Sequence, residues 1–307
     1  MSTRQSNDLP GGGRRAVPAS QPKWREIVIF GVLAFLFSWL WWGGVWASGI
    51  PLVSDLSGVN QNQLPVGQIL IVIGDFGPLV AALVMRLLIS KEGLKNSLRW
   101  RRSWRYYLVA LLAPPLFYGG LAIFHHVTGL GRFVWTRTDA SLWSYLGIEL
   151  LIGALVVSLF VFGEEYGWRG YLLPRLLGLG EIKATAIVGV IWGLWHLPLF
   201  AMGVSFPGQN PWLSIPLFVV CTIFVSFPFT WFFRATGGSV VLVSLLHGSI
   251  NSYGDGLTAE AVVPGANPLI VSASGLTTLV ALMVITFLVY AVFKRSPTVP
   301  ARELEQL

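Results

Sequence analysis

Six polar residues stand inside otherwise apolar runs of this sequence: Glu164, Glu165, Arg169, His196, His247 and Asn251. Brought together they could hydrolyse an amide. A glutamate in a water-poor site acts as a general base toward bound water. An imidazole holds that water or protonates the leaving amine. The amide of an asparagine donates to the oxyanion of a tetrahedral intermediate. Two histidines, a glutamate and a water are also a catalytic zinc set. The residue types therefore leave two versions open, one without a cofactor and one with zinc on Glu164, His196 and His247.

The spacing divides the labour. Glu165 and Arg169 are four apart and share a helix face, so they can pair. Glu164 lies about 140° from Arg169 around the same helix and projects elsewhere. His196 follows Trp192 by one helical turn, and Pro198 comes just after it and bends the helix there. His247 and Asn251 are four apart and point the same way. Each element also has a plainer reading: a helix-end ion pair, a core histidine under a tryptophan, and a His–Asn packing bond. The ion-pair reading leaves Glu164 without a partner. The sequence has no His-Glu-x-x-His helix, no Gly-x-Ser-x-Gly elbow and no phosphate-binding glycine loop.

The elements that carry these residues are membrane spans. Of 307 residues 54% are hydrophobic and 11% charged, against about 25% charged in an average soluble domain. Eight stretches approach the roughly 20 apolar residues a bilayer needs: about 27–48, 66–89, 106–127, 145–165, 184–203, 212–233, 238–254 and 269–293. The seventh is short and polar and must be covered by its neighbours. The first is Trp-rich and longer than the apolar core of a signal peptide, so it reads as a retained span, although Val45-Trp46-Ala47 weakly resembles a cleavage site. Pro114-Pro115, Pro198 and Pro228 are expected to kink their spans.

The net charge of +7 does not point to nucleic acid, because the basic residues cluster between spans. Nineteen fall on one side, around the first span's start, the loops led by Arg86, Arg169 and Arg234, and the C-terminus; only Arg132 and Arg137 fall on the other. The positive-inside rule then puts both termini in the cytoplasm and asks for an even number of spans. The chain reads as an all-α polytopic bundle in the cell membrane, with lipid around it and a peptide or membrane protein as substrate. Residues 1–25 read as a disordered cytoplasmic tail, 26–295 as the transmembrane domain with its motif core at about 150–255, and 296–307 as a second cytoplasmic tail. Cys221 is the single cysteine, so no intrachain disulfide can form.

Three motifs in order, Glu164-Glu165…Arg169, Trp192…His196 and His247…Asn251, resemble the CPBP family, which includes the CAAX prenyl endopeptidases and the Abi bacteriocin-processing proteins. The family usually carries Phe where Trp192 stands. Gly170-Tyr171-Leu172 and Pro174 also look like the family, and the likeness covers about a third of the chain. It implies peptide-bond hydrolysis in or near the membrane. Glu164 would activate water, His196 would help hold it, and His247 and Asn251 would hold the water or the oxyanion. Whether the target is a CAAX-type C-terminus or a leader peptide stays open. The favoured version has no cofactor, with zinc the alternative.

The competing class is a transporter or a non-catalytic scaffold, including a bacteriocin-immunity factor. Proline-broken spans and an embedded acid such as Asp75 suit a transporter. Yet no two-fold repeat is evident, and the polar residues concentrate in the second half. A shared site makes one demand of the elements. Glu164 would lie too near the inner edge if its helix ended at residue 165. The helix must therefore run on past Gly170 towards Leu177, with Glu164, His196, His247 and Asn251 converging on a cavity in the cytoplasmic half of the bilayer.

Overall fold

The apolar runs fold as helices, which satisfy their own backbone groups where lipid offers no partner. The computed structural model describes residues 22–52, 66–94, 98–99, 102–135, 141–258 and 263–292. Most of both expected tails, with their basic residues other than Lys23 and Arg25, lies outside the described residues, and the first helix begins two residues inside the expected N-terminal tail. Eight helical segments follow one another among those described: α1 Trp24–Ala47, α2 Val66–Ile89, α3 Trp104–Thr128, α4 Leu142–Leu179, α5 Glu181–Ala201, α6 Pro211–Ala235, α7 Val240–Thr258 and α8 Pro268–Leu288. All but α7 are long and apolar enough to cross a membrane. No strand occurs among the described residues. The chain is an all-α, multi-pass membrane protein.

Helix α7 is the stretch expected to be short and polar. It is covered as such a stretch must be, packing along α4 and against α3 and α6. Small residues let it close on α4: a Cβ added to Gly248 would come within 2.3 Å of Ser158 Oγ. Close approach through small residues is how helices associate where no hydrophobic force distinguishes them from lipid. Asn210 and Asn267 cap α6 and α8, each side-chain oxygen accepting a backbone N–H at 3.0 Å, with Pro211 and Pro268 in the first turn. Such caps satisfy amides that the helix itself leaves open.

Three helices are irregular close to the polar residues. Helix α4 runs unbroken through Glu164 to Leu179, as the shared depth requires, with π turns at Tyr145–Glu149 and Trp168–Leu172. Helix α2 breaks at Asp75–Phe76. Helix α5 breaks at His196, two residues before Pro198. The other prolines behave differently: the helix continues through Pro114, Pro115, Pro216 and Pro228.

The Trp-rich α1 repairs both breaks. Ser38 Oγ donates to Gly74 O at 2.8 Å and Trp42 Nε1 to Ile71 O at 2.9 Å. Trp39 Nε1 donates to Trp195 O, also at 2.9 Å. These carbonyls would otherwise sit unpaired in the interior, at about 1–3 kcal/mol each.

Polar contacts tie alternate helix ends to one face of the bundle. Arg175, near the end of α4, reaches Glu26 in the first turn of α1 at 3.4 Å and Glu92, just past α2, at 2.5 Å. Arg99 and Arg102, ahead of α3, both donate to Gly237 O at 3.1 Å, between α6 and α7. Glu181, at the start of α5, pairs with Arg234 near the end of α6. Tyr290, beyond Leu288, donates to Glu181 at 2.6 Å. This alternation is what an even number of spans produces.

Candidate active site

Counting from that face, Asp75 lies fourteen residues before Ile89, Glu164 fifteen before Leu179, and His196 fifteen after Glu181. At 1.5 Å per residue all three stand roughly 21–23 Å along their helices from it. Helices α2, α4 and α5 thus present their irregular or polar turns at one depth. Close contact between α4 and α2 depends on glycine. A Cβ at Gly163 would meet the Phe76 ring at 2.8 Å, and one at Gly167 would meet Pro78 at 2.4 Å.

Trp192 is the hub. Its indole Nε1–H donates to Glu164 Oε2 at 2.8 Å. Its ring centroid lies 5.3 Å from that of His247 and 6.0 Å from that of His196, both edge-on. Glu164, the residue without a partner in the ion-pair reading, therefore has one, and the contact crosses from α4 to α5. Only 5% of Glu164 is exposed.

Glu165 and Arg169 pair as their spacing predicts, at 2.8 Å and with no exposed surface on either. The same oxygen, Glu165 Oε1, takes a second bond at 2.8 Å from His247 Nδ1. The guanidinium of Arg169 lies between two aromatic faces, 4.6 Å from the Trp192 centroid and 4.7 Å from that of Phe229. Its Nη2 donates to Ser226 Oγ at 3.1 Å, and Ser226 passes the chain on to Thr222 O at 2.7 Å. A cation on aromatic faces, with a carboxylate and a hydroxyl at its edge, is the kind of desolvated arginine that tolerates burial.

The two imidazoles are oriented alike. His196 Nδ1 is 2.8 Å from Trp192 O, and a carbonyl only accepts, so Nδ1 carries the proton and Nε2 presents a lone pair. His247 Nδ1 faces a carboxylate, so the same argument gives it the same tautomer. Glu165 thus does for His247 what the Trp192 carbonyl does for His196. Beyond His196, Phe218 and then Phe200 form an edge-to-face row, with centroids 5.0 and 5.4 Å apart.

Asn251 sits one turn beyond His247 on α7, half-buried, and no hydrogen bond of its side chain occurs among the described residues. The plainer reading of a His247–Asn251 packing bond gives way to His247–Glu165. Sequence reasoning also passed over Ser226. Its signal was present in Thr222, Ser226 and Thr230, a polar stripe at four-residue intervals along an apolar span. The stripe faces inward: Thr222 bonds Gly189 O and Thr230 bonds Thr185, both at 3.0 Å.

As a zinc cradle the set does not fit. No three His, Cys, Asp or Glu side chains among the described residues stand close enough together to hold a metal ion, and one oxygen of Glu164 is engaged by Trp192.

Residues 146–253, which carry Glu164, Glu165, Arg169, Trp192, His196, His247 and Asn251, match the model of the Rce1-like type II CAAX prenyl endopeptidases. Through this segment the chain is similar to the CAAX prenyl endopeptidases. The matched segment spans α4 to α7. A curated relative, CAAX prenyl protease 2 of Methanococcus maripaludis, is 30% identical over 93 residues. That alignment covers 29% of this chain and 34% of the relative. Helices α1 to α3 and α8 lie outside the matched segment, yet α1 and α2 supply part of the site's surroundings.

Proposed function

We propose that the protein is an intramembrane endopeptidase in which Glu164 activates water against a peptide bond. The observation that carries this reading is the Glu164–Trp192 bond, which seats a buried carboxylate on the indole that two imidazoles also face edge-on. Glu164 takes one proton from water as the water oxygen bonds the scissile carbonyl carbon. His196 Nε2 accepts from the same water and holds it on the carboxylate. Asn251, with its amide uncommitted, donates to the oxyanion. Glu164 then returns its proton to the amine as the C–N bond breaks, so one water is consumed and the base is restored.

In this reading Glu165, Arg169 and Ser226 are the frame. They fix His247, whose Nε2 is left to face the reacting groups. The mechanism uses no cofactor. Substrate class follows the family: a CAAX-type C-terminus, with leader-peptide processing as the second choice. The aromatic row from His196 through Phe218 to Phe200 supports an apolar group on the substrate.

The test uses purified protein in liposomes with matched C-terminal peptides, prenylated and unprenylated, and Glu164→Gln as control. Cleavage of the prenylated peptide by the wild type alone is the expected result. Equal cleavage by Glu164→Gln would remove the glutamate mechanism. No cleavage of either peptide, with a normal fold, would favour the scaffold class.

A further inference from the structure

Asp75 is an acid in a membrane helix that the mechanism above leaves idle. An embedded carboxylate costs roughly 2.5–3.5 kcal/mol on insertion scales, so its place calls for a reason. It does not cap the helix that follows: Phe76 holds that position, with no side-chain capping bond. No hydrogen bond or ion pair of its carboxylate occurs among the described residues. Three observations give it a direction. The break at Asp75–Phe76 is held open by Ser38 and Trp42 from α1. Gly163 lets the Phe76 backbone come within 3.4 Å of where a Cβ would stand, immediately before Glu164. Asp75 lies within electrostatic range of Glu164. A backbone irregularity kept open by neighbouring side chains, with an unpaired acid at its centre, is the pattern of a functional position.

From this placement we infer that Asp75 is a second carboxylate of the active site, accepting a hydrogen bond from the attacking water. The inference rests on Glu164 being the base. Water has two hydrogens; Glu164 takes one as a proton, and Asp75 shares the other with His196 Nε2 in a bifurcated bond. With both directions set, a lone pair of the water oxygen is held on the scissile carbonyl. No proton passes to Asp75, and the hydrolysis balances as before. The site then draws on α2, outside the matched segment, as well as on α4, α5 and α7.

The test is a comparison of Asp75→Asn and Asp75→Glu with wild type, in kcat, KM and thermal unfolding. Asp75→Asn keeps the shape but trades the charged acceptor for a weaker neutral one, and is expected to lower kcat at least tenfold, with KM and unfolding temperature unchanged. Asp75→Glu, which restores a charged acceptor, is expected to recover part of kcat. An Asp75→Asn enzyme with wild-type kcat overturns the inference and leaves the endopeptidase standing. So does a fall in unfolding temperature that accounts for the loss. A wild type that cleaves nothing ends both. Independently of turnover, the double variant Asp75→Cys with Glu164→Cys, in a Cys221→Ser background, should be joined by a short bis-methanethiosulfonate. Failure to join, while each cysteine alone labels, also overturns the inference.

Discussion

Arg169 and His247 converge on one oxygen, Glu165 Oε1, each at 2.8 Å. The other oxygen, Glu165 Oε2, is buried without a partner. A carboxylate used so unevenly ties two helices together through one atom. Replacing it by an amide removes the charge that both neighbours share. Glu165→Gln and Arg169→Ala should each destabilise the protein by about 3–5 kcal/mol, the cost of leaving one member of a buried pair uncompensated. Thermal unfolding in detergent checks this. A melting temperature equal to wild type in both variants would contradict it.

Glu164→Gln should behave in the opposite way. The amide oxygen still accepts from Trp192 Nε1, so unfolding should match wild type. Turnover should fall by about 10²–10⁴-fold, the range that general-base catalysis supplies. If instead Glu164→Gln cleaves normally while Glu165→Gln folds and is inactive, the two carboxylates have exchanged roles.

Trp192→Phe tests the hub. The ring over Arg169 survives, and only the N–H to Glu164 is lost. A hydrogen bond to a charged group is worth about 1.5–3 kcal/mol, so kcat should drop about 10–150-fold with little change in unfolding. Trp192→Leu, which also removes the face under Arg169, should lower the melting temperature as well. Equal kcat for wild type and Trp192→Phe would show that Glu164 does not depend on the bond.

Trp39→Phe should act at a distance. It leaves the Trp195 carbonyl unpaired at the break beside His196, at a cost of about 1–3 kcal/mol. A lower melting temperature and a lower kcat are expected together, because the same break aims the imidazole. Retained kcat at full occupancy of the fold would separate His196 from its strut.

Chelators should leave turnover unchanged under the glutamate mechanism. Metal analysis that found one zinc per chain, with activity lost on its removal and regained on its return, would replace that mechanism and keep the endopeptidase.

How far the sequence could be read depended on whether partners shared a helix. Glu165 and Arg169 were legible because four-residue spacing alone brings them together. The extension of α4 past Gly170 was legible because depth is a matter of counting residues. The partner of Glu164 was not legible, since nothing in one helix says which indole of another will face it. The plainer pairing of His247 with Asn251 failed for the same reason: local spacing offered a neighbour, and a carboxylate on α4 took its place. Pro198 marked a break but Pro114, Pro115 and Pro228 did not, because an interruption also needs side chains from elsewhere to take up the freed carbonyls. For α5 that side chain is Trp39, far away in sequence.

That separation bears on how the protein is made. Trp39 and the carbonyl it serves are 156 residues apart. Helix α1 must therefore wait in the membrane for α5. At synthesis rates of about 5–20 residues per second the wait is roughly 8–30 s. Until then the indole has no Trp195 to meet, and the turn carrying His196 does not exist. Under the proposed function, the site stays incomplete until α5 has emerged, so neighbouring chains at the same translocon would not meet a working protease.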